Sequence, residues 1–370
     1  MKNKPIAIFL GHPAHYHLFK NATIALEKND VQVDFLVKHK DILEYLVQQS
    51  GHPYHLVRRQ ERAAKGKLGL AWSLISMELG VIWYILRYRP KCLVGTYAPV
   101  ISHLTGVPMI ICNEDDAAVV PRFAKTSYPY AKAILAPRCC NGGKWDEKMI
   151  KYDSFHELAY LHPNHFTPDT KYLEKYGIGP SDRFFVMRFA SLHAHHDFGI
   201  SGINDEIAAK LIEMLQPYGK VFITSERKLS PALESYRISI DPLDIHHVMA
   251  FASLYIGDSQ TMAAEAAVLG VPFIRYNDFV GRIGYLNELE NEYHLGFGIK
   301  ASEEGSADKM YKTLTDLLSM PNLKEEWQKR RQKMLSEKID YAKFLTWFIE
   351  TYPESRDIMK KNPEYQNNFK

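Results

Sequence analysis

Short apolar runs alternate along this chain with longer amphipathic stretches. Ile6-Ala-Ile-Phe-Leu10 reads as a strand buried on both faces. A polar loop, Gly11-His-Pro-Ala-His-Tyr-His17, and an amphipathic helix to about Lys28 follow. The pattern then predicts strands at 31–37 and, more weakly, 55–57, with a helix over about 40–49 between them. The most apolar run is 68–88. It contains Ser73 and Glu78 and ends in Arg87-Tyr-Arg-Pro90, which suits a buried or half-buried helix better than a membrane span. Further strands are expected at 92–95, 108–112 and 133–135, separated by short helices.

Residues 158–170 break the rhythm, because Pro163 and Pro168 disfavour helix, and this stretch is the expected linker. The alternation restarts with strands at 184–188 and 220–224, a helix over about 204–216 and another over 244–251. Strands near 272–275 and 296–299 close the series. From about 306 the chain is helical and polar. Leu345-Thr-Trp-Phe-Ile349 is an apolar patch that has to pack on something, and 355–370 lack such a pattern and are expected to fray. No repeat of 20–50 residues is visible. Strands alternating with helices predict an α/β fold of two doubly wound, Rossmann-like domains, 1–165 and 170–335, with 336–370 a helix packing back plus a frayed tail.

One stretch concentrates the signals of a ligand site. Leu254–Ile256 is a buried-type strand, Gly257-Asp258 a turn, Ser259 a helix cap, and Gly270 the helix end before Pro272-Phe-Ile-Arg275. A helix N-terminus at the carboxyl end of a parallel strand suits an anion. Ser259, Gln260 and Thr261 add polar side chains there, and Glu265 stands one turn on, in reach of a ribose diol. The plain alternative is an ordinary α/β unit with a solvated glutamate.

Composition narrows the class. The chain has 370 residues, 46% hydrophobic and 24% charged, with a net charge of only +3, so nucleic acid is not an expected partner. The charge is uneven: residues 1–165 hold 21 Lys and Arg against 14 Asp and Glu, the remainder 25 against 29. A basic first half suits an acidic ligand or an anionic membrane surface, or is a spread of solvated lysines. Cys92, Cys112, Cys139 and Cys140 have no CxxC spacing, which argues for a reducing compartment. Met-Lys-Asn-Lys-Pro runs straight into a strand, so no signal peptide and a cytoplasmic location are expected. The aromatic and basic end of the 68–88 run (Trp83, Tyr84, Arg87, Arg89) is a candidate for peripheral contact at the inner membrane face.

The motif order resembles the glycosyltransferase-B architecture, in which two such domains face across a cleft. Gly11-His-Pro-Ala-His15 resembles that fold's acceptor-side loop, and Asp258-Ser-Gln-Thr-Met-Ala-Ala-Glu-Ala-Ala-Val-Leu-Gly-Val-Pro272 its donor motif. With Tyr160-Leu-His-Pro-Asn-His-Phe-Thr-Pro-Asp169 and Arg188-Phe-Ala-Ser-Leu-His-Ala-His-His-Asp197, the chain is similar to a family of predicted glycosyltransferases of bacteria and archaea. That family is related to the UDP-N-acetylglucosamine 2-epimerases and to the lipid-linked N-acetylglucosaminyl transferase of cell-wall synthesis. Two departures stand out. The donor turn has Asp-Ser-Gln-Thr where relatives often have a glycine pair, and the two-carboxylate spacing of the epimerases is not clearly reproduced.

The candidate residues follow. Gly11 is a candidate substrate contact. His15 is a candidate base for an acceptor hydroxyl, or a helix cap; His17 is a candidate sugar contact. Asn113-Glu-Asp-Asp116 offers Glu114 and Asp115 as catalytic carboxylates, or caps the next helix with its acidic residues. Arg188 can neutralise a departing diphosphate. His193, His195, His196 and Asp197 are candidate sugar or acceptor contacts. A metal there is disfavoured, because a loop cluster lacks fixed i, i+4 geometry. Ser225 and Arg227 are candidates for the nucleotide and the backbone near Ile240 for its base, or they form surface turns. Asn277 and Arg282 are candidate sugar contacts.

The resemblance implies a metal-independent transferase with no cofactor. A nucleoside-diphosphate sugar, UDP first, would be the donor, and a glycan or lipid-linked sugar the acceptor in cell-surface synthesis. A UDP-sugar 2-epimerase, a non-catalytic glycan- or nucleotide-sugar-binding protein and a metal-dependent hydrolase are the alternatives.

Overall fold

The computed structural model describes residues 4–39, 41–58, 67–96, 100–190 and 202–370. The chain divides into two compact units, Met1–Tyr160 together with Ile339–Lys370, and Leu161–Lys338.

The first unit is built on a seven-stranded sheet: β1 (Ile6–Leu10), β2 (Val33–Lys38), β3 (Tyr54–Arg58), β4 (Cys92–Gly95), β5 (Met109–Cys112), β6 (Ala133–Pro137) and β7 (Met149–Tyr152). Their spatial order is β3-β2-β1-β4-β5-β6-β7, and every pair is parallel. All five residues of β1 are buried, as a strand covered by helices on both faces requires. β7 was not expected. Its Met-Ile-Lys-Tyr sequence is short and interrupted by a lysine, but three of its four residues are buried against β6.

The helix Lys67–Tyr88 turns Met77, Val81, Tyr84 and Ile85 inward, and Tyr84 Oη donates to Asp34 Oδ2 of β2 at 2.7 Å. Tyr84 is therefore not available to a membrane. Leu79, Trp83 and Leu86 lie on the outer side, 55%, 58% and 69% exposed. Among the described residues no helix is long and apolar enough to cross a membrane.

The chain returns to this unit at its end. Phe344, Leu345, Phe348 and Ile349 of the helix Tyr341–Glu350 are fully buried, and the helix packs on Pro13–Lys28. The expected frayed tail is instead the helix Glu354–Lys361 and a 3-10 turn, Pro363–Phe369. Tyr365 and Phe369 lie against Trp347 at 4.9 and 5.2 Å between ring centroids. The buried Gln366 accepts from the Asp153 backbone N–H at 2.6 Å.

The second unit carries β8 (Phe184–Phe189), β9 (Lys220–Ser225), β10 (Leu254–Gly257), β11 (Phe273–Tyr276) and β12 (Gly296–Ile299). These form a parallel sheet in the order β12-β11-β10-β8-β9. The helix Gln260–Leu269 joins β10 to β11 and buries Ala263, Ala264, Ala266 and Ala267. Alanines let it lie close on the sheet, and Gly270 ends it with φ of 74°, where a side chain would be strained.

Candidate functional site

In an open parallel sheet, a ligand crevice forms at the carboxyl ends of neighbouring strands whose connections leave in opposite directions. In the first unit those strands are β1, which leads to β2, and β4, which leads to β5. The residues after them meet: Thr96 Oγ1 lies 3.2 and 3.1 Å from Nδ1 and Nε2 of His15. The same Nδ1 accepts the Gly11 backbone N–H at 3.1 Å. A backbone N–H only donates, so the neutral ring carries its proton on Nε2. In this arrangement the Nδ1 lone pair of His15 is occupied, and its Nε2 side faces Thr96 Oγ1. The helix cap is His12, whose ring accepts from the Ala14 N–H. His17 follows on the same helix. It is buried against Tyr160, with ring centroids 5.4 Å apart.

The acidic run Asn113–Asp116 follows β5. It does not cap the next helix, Pro121–Ser127, which has Val120 at its N-cap and no side-chain cap. Asp116 instead accepts from the Asn141 backbone N–H at 2.6 Å, and Asn113 donates to Asp115 O and Tyr128 Oη. Glu114 sits in a cluster that the sequence did not reveal. Its Oε2 is 3.4 Å from Nδ1 of His156, and the buried Glu157 is nearby. Burial, then the charge of Glu157 and of Asp115, holds the Glu114 carboxyl well above the usual range. Burial pushes His156 down to about 3, so it stays neutral. The Glu114 carboxyl is thus biased toward its protonated form, and Asp115 lies half-buried beside it.

In the second unit the diverging strands are β8 and β10, and they bring Arg188 opposite Gly257. Asp258, only 3% exposed, lies there too: its Oδ1 accepts the Ala190 N–H at 2.6 Å, and its Oδ2 is buried with no hydrogen-bond partner among the described residues. Burial pushes this carboxyl up to about 6, partly offset by the Ala190 N–H and by Arg227 and Arg188. Arg188 pairs with Glu226 through Nη2, and its buried Nε has no hydrogen-bond partner among the described residues. Ser259 caps the helix Gln260–Leu269, accepting from the Met262 N–H at 3.4 Å. Arg188, Asp258 and the start of this helix, with Gln260 and Thr261, therefore share one end of one sheet.

The remaining candidates are placed as follows. Glu265 is buried and bonded through Oε1 to His246 Nε2 at 2.9 Å, so it is a fixed carboxylate and not a solvated one. Ser225 and Arg227 close a local turn, and the Arg227 guanidinium reaches Ile203 O and lies over Phe189. Ile240 is half-buried just past the segment that bridges β9 at Arg237. Asn277 is fully buried and ties Asp258 O to the Phe279 N–H, which makes it a brace of the β10 turn in this structure. Arg282 is exposed over Phe279. His193, His195, His196 and Asp197 lie outside the described residues. Among the described residues no group of three or more His, Cys, Asp or Glu is arranged to hold a metal.

Two doubly wound parallel sheets of this kind are the parts of a glycosyltransferase-B fold, and solved structures of that fold match the chain. A proposed UDP-N-acetylglucosamine 2-epimerase of Listeria monocytogenes superposes with a TM-score of 0.67 at 14% identity, covering 96% of this chain and 98% of its own. S. aureus MnaA, solved with UDP, gives 0.63 at 14% identity, covering 98% and 97%. The spinosyn forosaminyltransferase SpnP gives 0.62 at 13% identity, covering 94% and 99%. No curated protein matches the sequence. The chain belongs to the family described as Protein of unknown function (DUF354), whose profile matches residues 10–281.

Proposed function

We propose that this protein is a glycosyltransferase that moves a sugar from a nucleoside-diphosphate sugar to a hydroxyl acceptor, without a metal. The observation that carries this reading is the meeting of Arg188, Asp258 and the N-terminus of the helix Gln260–Leu269 at the point where strand order reverses. Helix N–H groups and an arginine whose Nε has no partner among the described residues suit a diphosphate, first bound and then leaving. Glu265, held by His246, is a fixed acceptor for a ribose diol. That solved neighbours of this fold include a UDP complex and a sugar transferase supports UDP as the first donor to try.

The first unit takes the acceptor. Of the candidate bases we favour Asp115, because Gly11 occupies the His15 lone pair and burial biases Glu114 toward its protonated form. His15 and Thr96, whose hydroxyl meets the imidazole ring, then line the acceptor side. The exposed Leu79, Trp83 and Leu86, beside the exposed Arg87 and Arg89, support an acceptor carried by an anionic membrane, such as a lipid-linked sugar at the cytoplasmic face.

The test is nucleotide release from a panel of UDP- and dTDP-sugars with and without membrane-extracted glycolipid. Release that needs the extract, proceeds in chelator and is lost in Asp115→Asn supports the reading. Conversion of the nucleotide sugar to an isomer with no acceptor present assigns the epimerase reaction instead.

A further inference from the structure

A second feature of the Leu161–Lys338 unit uses none of the residues assigned to the nucleotide. β12 is the edge strand of its sheet, with no strand beyond it among the described residues. The helices Gly284–Asn291 and Ser306–Leu318 both contact it. Residues of all three line a cavity of about 480 Å³, which therefore lies along the open sheet edge. That volume is within the range of small-ligand sites.

The lining is polar but not strongly charged. Asn287, Glu290 and Asn291 share one helix face, His294 follows in the next turn, and Thr313 comes from the opposite helix with Lys309 one turn before it. Phe297 adds an aromatic ring that is 39% exposed. Glu290, 8% exposed, is the built part of the site. The fully buried Arg275 holds its Oε1 at 2.9 Å through Nε. Its Oε2 lies on the Gly298 side. Gly298 makes room for that oxygen, because a Cβ there would collide with it. An ion pair buried this deeply costs desolvation, and this one leaves a fixed acceptor oxygen on a residue that lines a cavity.

Fixed carboxylate and amide groups beside an aromatic ring match a pyranose. Its vicinal hydroxyls donate and accept in pairs, and its C–H face lies on an aromatic ring. Phosphate is a poor match, because Lys309 is the only lysine or arginine in the lining and Glu290 is there with it. An extended peptide is a poor match too, since β12 offers four residues, two of them glycine.

We propose that this edge cavity binds a neutral oligosaccharide, anchoring a glycan away from the nucleotide site. The experiment is calorimetric titration of the full protein with maltohexaose, cellohexaose, chitohexaose and mannohexaose. At least one is expected to bind with a Kd of about 1 mM or tighter. Phe297→Ala and Asn291→Ala should each weaken it about tenfold. Thr313→Trp should abolish it by filling the cavity. All three variants should keep the wild-type Tm and the response to UDP. Absence of binding by all four saccharides overturns the proposal. So does binding that survives Thr313→Trp, or that is lost in Arg188→Ala instead. A missing response to UDP bears on the donor reading alone.

Discussion

Asp258→Asn isolates the charge of the carboxylate at the end of β10. Asn keeps an oxygen for the Ala190 N–H and replaces only the Oδ2 that has no hydrogen-bond partner among the described residues. The wild-type carboxyl titrates near 4 in an unfolded chain and at about 6 in the folded protein. Between those values the folded state holds a proton that the unfolded state has released, so stability falls as pH rises through that window. At about 1.4 kcal/mol per pH unit, the penalty reaches roughly 3 kcal/mol by neutral pH and stays constant above it. Urea denaturation of both proteins from pH 4 to pH 8 reads the difference directly. The variant should match the wild type near pH 4 and gain up to roughly 3 kcal/mol by pH 7, most of it between pH 4 and 6. A gain that does not vary with pH, or a loss at every pH, refutes the reasoning. A diphosphate bound beside Asp258 would favour its protonated form further. UDP should therefore bind more tightly as pH falls from 8 to 6, and this pH dependence should flatten in the variant.

Three further outcomes are expected. Phe348→Ala removes a fully buried ring that fixes the C-terminal helix to the first unit and should cost about 3–5 kcal/mol in chemical denaturation; a cost below 1 kcal/mol would show that this helix does not hold the unit together. Trp83→Ser with Leu86→Ser should abolish sedimentation with vesicles containing anionic lipid while leaving Tm within a degree or two, because both side chains are exposed; equal binding to neutral and anionic vesicles, or no change in the variant, counts against the membrane reading. Asp115→Asn should lower kcat by about 100-fold or more, whereas His15→Ala should act mainly on KM; the reverse pattern would return the base role to His15.

Most strands were legible because their residues are apolar without interruption, the pattern that burial on both faces imposes. The segment Leu254–Gly270 was legible down to its cap, since Ser259 and Gly270 act through short-range backbone chemistry. β7 was not, because Lys151 breaks a strand of only four residues. Missing it left the loop after it unplaced, and with it His156 and Glu157, which carry no spacing of their own. The tail was misread for a related reason. Tyr365, Gln366 and Phe369 are set among polar residues; Tyr365 and Phe369 pack on Trp347 and Gln366 bonds Asp153, irregular contacts rather than periodic ones. Whether Glu265 was a ribose contact or a solvated glutamate stayed open in the sequence, because its partner, His246, sits on a different helix. Arg275 offered a readable signal: an arginine inside an apolar strand needs a buried acid, and Glu290 supplies it.

The most direct measurement of the central claim is a thermal-shift titration of the wild type, Arg188→Ala and Ser259→Ala with UDP, GDP, CDP, dTDP, ADP and CMP, in chelator and then with divalent metal. One nucleoside diphosphate at 100 times its Kd should stabilise the wild type by about 2.7 kcal/mol without metal. The shift should shrink sharply in both variants. Silence with every nucleotide, or stabilisation that is unchanged in both variants, would contradict a diphosphate site at the end of β8 and β10.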